Sequence, residues 1–272
     1  EAASTGKLSV TGYQDYSDAQ KILKEVNKYR KKNGRKALKM DRGLTNSAIM
    51  RGFETTIYIP ETSPHRRPNG KLSKSINKKI IYENCAQSAG TTPKQIVKGW
   101  INSSTHRKGL LLSNAKSVGV AAVTVVSRDG YEANTWVLDF SSSKAKKVEK
   151  SKARKQFTKN IVTKNSYLKK SYLKLDSRSG TIWETEKMQM KPTYPGKMVK
   201  EYGVYPTVIN TSSFTSWKSS NPSVASVDSN GRITGNKAGT ATISAKLKTG
   251  TKITISKKIK VVPTNQQIDP WE

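Results

Sequence analysis

The sequence contains a single cysteine, Cys85, and only two histidines among its 272 residues. A single cysteine excludes an intrachain disulfide, and it does not by itself assign the chain to an oxidising or a reducing compartment. No apolar run approaches the roughly 18 residues of a membrane-spanning helix. The first residues also lack the basic and apolar regions of a signal peptide, so we expect that any such peptide has been removed before Glu1.

Acidic residues are scarce as well. The 19 Asp and Glu residues face 50 Lys and Arg residues, which gives a net charge of +31. The excess is not confined to one tail, because residues 1–145 contain 25 basic and 11 acidic residues, and residues 146–272 contain 25 and 8. Such a charge favours polyanions such as anionic lipids, envelope polymers or host polymers, although it can also serve solubility alone. No nucleic-acid-binding motif accompanies it, so no specific nucleic acid is predicted as a partner.

Helix and strand signals alternate in the first half of the chain. Ser17–Gln20 has the pattern of a capping box ahead of an amphipathic helix, and a second helix is predicted over about Arg42–Thr56. Thr92–Gln95 has a Thr cap, a Pro at the first helical position and a Gln at the third. Val118–Val126 and Thr135–Phe140 are typical of strands. Together these elements predict a layered α+β domain over residues 15–143.

The composition changes after this domain. Residues 144–166 are rich in lysine and show little apolar periodicity, so we predict an exposed basic linker. Beyond it, apolar and polar residues alternate, for example over Ala241–Lys246, and Ser229–Gly231 favours a hairpin turn. An all-β sandwich is therefore predicted over residues 167–263.

Six motifs in order resemble the bacterial branch of the CAP superfamily (cysteine-rich secretory proteins, antigen 5 and pathogenesis-related 1). The family patterns are RAxE, HTRPNG, GENIA, WMNSPGHRxNIL, IGVG and YWVQxF. The corresponding residues here are Arg51–Glu54, His65–Gly70, Tyr82–Ala86, Trp100–Leu111, Val118–Ala121 and Thr135–Phe140. The resemblance implies a CAP-type α-β-α sandwich with a cleft.

In that family the cleft holds two histidines and two acidic residues, which can bind a divalent metal. The resemblance therefore implies a ligand cleft formed by His65, Glu83 and His106, with His65 and His106 as the ligands of a metal such as zinc. Glu54 is the candidate for the second acid, and its alternative role is an ion pair with Arg51. Cys85 replaces an apolar family residue, so it is either a small buried hydrophobe or a thiol nucleophile beside a histidine.

A second resemblance covers Trp217–Ile243, whose sequence follows the family pattern WxSSNPSVATVDxxGxVTGxxAGTATI of bacterial immunoglobulin-like domains of group 2. This family implies an extracellular spacer or adhesion module rather than an enzyme. The expected architecture is then α+β, a CAP-type sandwich followed by an all-β immunoglobulin-like sandwich.

The two resemblances together imply a secreted, extracellular binding protein that presents a His/Glu cleft, and association with the cell wall is a further expectation. The alternative is a metal-assisted hydrolase in which His65 and His106 hold the ion and Glu83 is the general base. The sequence supplies no recognisable nucleophile and no third protein ligand, and this favours binding over catalysis. Catalytic residues are therefore left unassigned.

Overall fold

A computed structural model describes residues 4–57, 59, 63, 65–195 and 206–264. The chain divides into two compact units. One consists of Val10–Val126 and Tyr131–Ile161, and the other takes in the residues up to Ser9, Ser127–Gly130 and those from Val162 onward. No helix among the described residues is both long and apolar enough to cross a membrane.

The first unit contains the helices and a mixed sheet. Its elements are the helices α1 (Tyr16–Lys32), α2 (Arg42–Thr56), α3 (Pro93–Asn102) and α4 (Ser104–Leu110) and the strands β1 (Thr5–Asp15), β2 (Lys39–Met40), β3 (Tyr82–Ser88), β4 (Ser117–Val126), β5 (Glu132–Ser141) and β6 (Arg154–Lys164). The strand order is β3-β5-β4-β1-β6, and β2 pairs with β4 in parallel. Strands β1 and β6 each contain residues of both compact units.

Helices cover both faces of this sheet. On one face α1 and α3 pack with the even-numbered residues of β4 and β5, namely Val118, Val120, Ala122, Trp136, Leu138 and Phe140. On the other face α2 lies so close to β4 that an added Cβ at Gly119 would be 2.2 Å from the carbonyl oxygen of Leu44. The predicted α-β-α sandwich is therefore confirmed.

The helix boundaries confirm some sequence signals and correct one. Helix α2 has the predicted bounds, and Thr92 forms the predicted capping box with Gln95. The capping box predicted at Ser17 is wrong, because the N-cap of α1 is Asp15, whose side chain accepts a hydrogen bond from the backbone N–H of Asp18. Asp is as good an N-cap as Ser, so two candidates only two residues apart, Asp15 and Ser17, were available for the same helix start.

The second unit is built of two antiparallel-rich sheets. Its strands are β7 (Lys174–Ser177), β8 (Thr181–Trp183), β9 (Lys187–Tyr194), β10 (Thr207–Val208), β11 (Phe214–Ser219), β12 (Ala225–Val227), β13 (Arg232–Gly235), β14 (Gly239–Leu247) and β15 (Thr254–Val262). One sheet has the order β10-β9-β13-β12 with β7 paired to β9, and the other has the order β11-β14-β15-β8. This all-β unit confirms the predicted second fold.

The lysine-rich stretch differs from the exposed linker predicted over residues 144–166. Its last part is strand β6, and its first part is bound to the helical unit. The backbone N–H of Lys146 donates to the carboxylate of Asp41, and the carbonyl of Lys147 accepts from the N–H of Arg42. Glu149 forms an ion pair with Arg42 at 2.9 Å. Lysine side chains here are solvated while the backbone is paired, which composition alone cannot reveal.

Gly119 gives a direct test of the close contact between α2 and β4. We expect Gly119→Ala to lower the free energy of unfolding by about 3 kcal/mol or more, because the new methyl group meets helix backbone that cannot rotate away. Gly99→Ala is the matched control, since nothing lies within 4 Å of an added Cβ at this helical position. The control should stabilise the protein by about 0.5–1 kcal/mol in denaturant titrations. Equal effects of the two substitutions would contradict the packing described here.

Candidate functional site

A buried arginine organises the charged groups of the first unit. Arg51 lies on α2, and its side chain is fully buried. Its Nε donates to Glu83 Oε2 at 2.8 Å, its Nη2 donates to Glu83 Oε1 at 3.1 Å, and its Nη1 donates to Glu54 Oε2 at 2.8 Å. Burial alone would lower the pKa of Arg51, but Glu83 and Glu54 outweigh it and raise the pKa. The guanidinium is therefore a permanent charge that fixes both carboxylates.

Glu54, the candidate second acid, is 2% exposed and has two arginine partners. Besides Arg51, it accepts hydrogen bonds from Nε and Nη2 of Arg67, at distances of 2.8–3.1 Å. Arg67 comes from the loop that also carries His65. The i, i+3 spacing of Arg51 and Glu54 on α2 brings the two together, so the ion pair considered from the sequence is present. Its carboxylate is buried rather than on the helix surface.

Glu83 links this ion-pair cluster to His65. The Nδ1 atom of His65 lies 3.0 Å from Glu83 Oε1, and the His65 side chain is 45% exposed. Burial alone would raise the pKa of Glu83, but the hydrogen bonds from His65 and Arg51 hold it below its usual value. Contacts with the Cys85 sulfur and the Glu83 carboxylate raise the pKa of His65 to about 10. At neutral pH His65 is consequently an imidazolium.

Cys85 lies two residues after Glu83 on β3 and faces the same histidine. Its Sγ atom is 3.9 Å from His65 Nδ1, and the residue is 9% exposed. Donor atoms of His65, Glu83 and Cys85 all lie within 4.8 Å of one another. Cys85 is thus both a buried residue and a neighbour of a cationic imidazole, so each of its two sequence-based interpretations retains support.

His106 lies on α4 and contacts β3, the strand that carries Glu83 and Cys85. Its Nδ1 atom lies 2.9 Å from Ser103 Oγ, and the ring also hydrogen-bonds the backbone of Cys85. Burial and the nearby charge of His65 lower the pKa of His106, and the Cys85 contact only partly opposes them. His106 is not part of the three-residue donor group that the described residues form. The two histidines therefore differ in charge at neutral pH.

Asp139 lies beneath these groups and was missed by the sequence analysis. It is fully buried on β5, directly across from Glu83 in the strand register. Neither carboxyl oxygen has a hydrogen-bond partner of good geometry among the described residues. Burial, followed by the charge of Glu83, raises the pKa of Asp139 well above its usual value. Burial therefore disfavours the charged form of Asp139.

A cavity of about 300 Å³ opens beside His65 and Glu83. Its wall is mainly aliphatic and aromatic, and Leu72 and Ile81 in it are 47% and 41% exposed. The polar part of the wall includes Lys74 and the two residues of the His65–Glu83 pair. The full set of lining residues is His65, Leu72, Ser73, Lys74, Ile80, Ile81, Tyr82 and Glu83.

The structure brings His65, Glu83 and Glu54 into one hydrogen-bonded cluster through Arg51. His106 lies outside that cluster, contacts the backbone of Cys85 and is close enough for the charge of His65 to lower its pKa. From the sequence, Arg51 was considered only as a partner of Glu54, and Arg67 was given no role, although both lie inside the quoted motifs. The i, i+3 spacing of Arg51 and Glu54 was the available signal. Nothing in the sequence distinguished the second arginine from the many exposed basic residues around it.

Comparison with known proteins supports both domains. Residues 23–140 match the family described as CAP, the cysteine-rich secretory protein family, and residues 198–260 match the bacterial Ig-like domain of group 2. The uncharacterized protein YkwD of Bacillus subtilis is 33% identical over 119 residues. That match covers 42% of this chain and 44% of the relative, so the chain spans less than half of the relative's length.

Solved structures are similar to part of the chain. An outer surface protein of Borrelia burgdorferi is 16% identical, with a TM-score of 0.37 over 48% of this chain and 98% of that protein. An extracellular protein containing a SCP domain from Bacillus anthracis is 18% identical, with a TM-score of 0.35 over 45% and 41%. On the family matches, the chain carries a CAP domain followed by a bacterial Ig-like domain of group 2.

Proposed function

We propose that the protein is an extracellular binding protein whose CAP domain holds a small anionic amphiphile in the cavity beside His65. A CAP domain joined to a bacterial Ig-like domain fits an extracellular protein. The Ig-like domain then serves as a spacer or adhesion module, and the basic surface holds the protein near anionic polymers of the cell envelope or of a host. Association with the cell wall is part of this proposal.

The observation that carries the proposal is the charge balance around the cavity. Arg51 and Arg67 balance the charges of Glu83 and Glu54, so the imidazolium of His65 adds one positive charge beside the cavity. Lys74 adds a second cation to the cavity wall. A ligand with one carboxylate or phosphate group would offset this excess without any change in the buried ion pairs.

The remaining wall favours an apolar ligand body. Leu72, Ile81 and Tyr82 line the cavity, and the first two expose much of their side chains to solvent. Exposed apolar side chains grouped beside a few polar groups are typical of ligand sites. The volume of about 300 Å³ is at the small end of such sites and suits a short chain or a single ring.

The same geometry favours binding over catalysis. A general base works best with a pKa near the operating pH, whereas Arg51 and His65 hold the pKa of Glu83 below its usual value. Both Glu83 oxygens already accept hydrogen bonds from Arg51.

The charge states of the two histidines can be measured directly. We expect His65 to titrate near pH 10 and His106 below the usual imidazole range, because a carboxylate and a thiol contact the first and burial affects the second. Two-dimensional NMR of the Cε1–H groups shows only two signals, and His106→Gln assigns them. Cys85→Ala should lower the pKa of His65. Titration of both rings near the usual value of about 6.5 would contradict the charge balance.

Paired ligands test the proposed occupant. We expect octanoate to bind and octanol to bind at least about tenfold more weakly, because only the carboxylate meets the His65 charge. His65→Gln should remove this difference and leave octanol binding unchanged. Ile81→Asp should weaken both ligands, whereas Val126→Asp should affect neither. Val126 is the matched control, because it is 43% exposed and is not among the residues that line the cavity.

Isothermal titration calorimetry of the full chain measures these affinities. Equal binding of octanoate and octanol would contradict the anionic part of the proposal. Unchanged binding in Ile81→Asp would contradict the location of the site. If neither octanoate nor octanol binds, the proposal of an amphiphilic ligand is contradicted altogether.

A bound divalent ion is the second candidate function. The sequence predicts His65 and His106 as its ligands, whereas the donor atoms that lie close together are those of His65, Glu83 and Cys85. These nitrogen, oxygen and sulfur donors suit zinc. In the arrangement described, however, Arg51 occupies both Glu83 oxygens, and His65 must lose a proton first. The residues are therefore not preorganised for an ion, and affinity should be modest.

Zinc titration of single variants tests this second candidate. Binding that is lost in both His65→Ala and His106→Ala would support the predicted pair of ligands. Binding lost in His65→Ala and Cys85→Ala but kept in His106→Ala would assign the ion to the three-donor group instead. Binding retained by the variant lacking both histidines would contradict a metal in this cleft.

A further inference from the structure

The outer face of the sheet β11-β14-β15-β8 carries lysine and hydroxyl side chains and, among its described positions, no carboxylate. Odd-numbered residues of β14 such as Ala241 and Ile243 are buried, so the even-numbered residues point outward. The same parity holds on β15, where Ile255 and Ile259 are buried. Because the protein has only 19 acidic residues, a face without one is not unusual. The positions of the lysines on this face say more about what it can bind.

The strand register places the first two lysines in successive rows across the sheet. Lys260 lies between Thr240 on β14 and Thr181 on β8. Lys258 occupies the next outward row and pairs with Thr242. All these side chains except the half-buried Thr242 are exposed. Each row therefore combines one ammonium group with at least one neighbouring hydroxyl.

The following two rows take their lysines from other strands. Lys218 on β11 pairs with Ser244 on β14, and Lys246 on β14 lies between Thr215 and Thr254. Both lysines are exposed. Lys218, Lys246, Lys258 and Lys260, which we term the lysine ladder, make no ion pair with any described residue. Four successive rows thus carry one unpaired lysine each.

The row spacing of this face matches a particular kind of polymer. Outward rows are two residues apart, which is about 6.8 Å along a strand, so the four rows span about 20 Å in that direction. The lysines lie on three strands, so successive ones are also offset across the sheet by up to two strand spacings, about 10 Å. Along a strand, the two residues that separate neighbouring rows contain six backbone bonds. A phosphodiester polymer with three carbons between phosphates also has six backbone bonds per charge and extends over about the same length. Lysine ammonium and Ser or Thr hydroxyl groups are common phosphate contacts.

We propose that the lysine ladder binds a linear, base-free phosphodiester polymer, such as a polyol phosphate, whose backbone runs along the strands. One phosphate would lie at each row, with hydroxyl groups of the same row as additional donors. The inference concerns the Ig-like domain and does not depend on the ligand of the cavity in the CAP domain.

The composition of the face argues for this occupant over other polyanions. Single-stranded nucleic acids need aromatic side chains on which successive bases stack. The aromatic residue of this face among its described positions is Trp183, which lies at the sheet edge and is 40% exposed. Membrane-binding faces carry a row of apolar groups for insertion, and here the neighbours of the lysines within each row are hydroxyl side chains.

The experiment compares two variants of the full chain with equal loss of charge. One replaces the lysine ladder by Lys218→Gln, Lys246→Gln, Lys258→Gln and Lys260→Gln. The control replaces Lys24, Lys28, Lys94 and Lys98 by Gln, which are exposed residues of α1 and α3. Binding of synthetic poly(glycerol phosphate) is measured by fluorescence anisotropy over a range of salt concentrations.

We expect the ladder variant to lose at least about tenfold in affinity near 0.1 M salt, and the slope of log K against log salt to fall by about 3. The control should lose about threefold or less, with a slope that changes by less than about 1. Equal losses in the two variants would overturn the proposal, because the binding would then follow net charge alone. Absence of binding by the unmodified chain would overturn it as well.

Competing polyanions complete the test. Oligothymidylate of equal charge and vesicles of phosphatidylglycerol are titrated in the same buffer. Weaker binding of both supports the assigned polymer, and tighter binding of either overturns it. Octanoate binding in the ladder variant reports separately on the CAP domain. It should be unchanged, so a failure of the ladder and a failure of the proposed cavity ligand are distinguishable.

Discussion

The buried guanidinium of Arg51 is the interaction on which the organisation of the CAP domain depends. It connects α2 with β3 through Glu83 and holds Glu54 on its own helix. A charge removed from water costs several kcal/mol unless partners surround it, so each of these three residues requires the others. Arg67 completes the balance from the loop and brings that loop toward the cluster. The position of His65 follows from this, because Glu83 can accept its Nδ1–H only while Arg51 fixes the carboxylate.

The pairing of Arg51 with its two carboxylates also explains why the charged groups beside the cavity are mostly satisfied by one another. Two arginines and two carboxylates cancel, and burial disfavours a charge on Asp139. The remaining polar groups are an exposed cation, His65, and a partly buried imidazole, His106, whose pKa is lowered. Such an arrangement is suited to hold a negative group in a fixed place, since its electrostatic partners are already satisfied. It is less suited to proton transfer, which needs a group that changes its charge near neutral pH.

Sequence patterns predicted the layers of the fold and part of the site, and the failures have physical causes. Helix α2 and the cap at Thr92 were predicted because apolar spacing and capping chemistry act locally. Strand β6 was not predicted, because its first residues are charged and the alternation of buried and exposed residues begins only near Ile161. His65 and Glu83 were found through family motifs. The hydrogen bonds from Arg51 that hold Glu83 next to His65 were not found, because a buried arginine and a solvated one look alike in a sequence.

The division of the chain into compact units has a consequence for the modularity of this architecture. Neither unit is a continuous piece of chain, because the residues up to Ser9 and the turn Ser127–Gly130 belong with the C-terminal strands. The backbone N–H of Ser9 donates to Ser213 Oγ, and its carbonyl accepts from the N–H of Asn210. An Ig-like segment excised from this gene at its family boundaries would leave those groups of Ser213 and Asn210 without the partners they have here. Shuffling of the Ig-like module with its contacts intact would therefore require the segment around Ser9 to move with it.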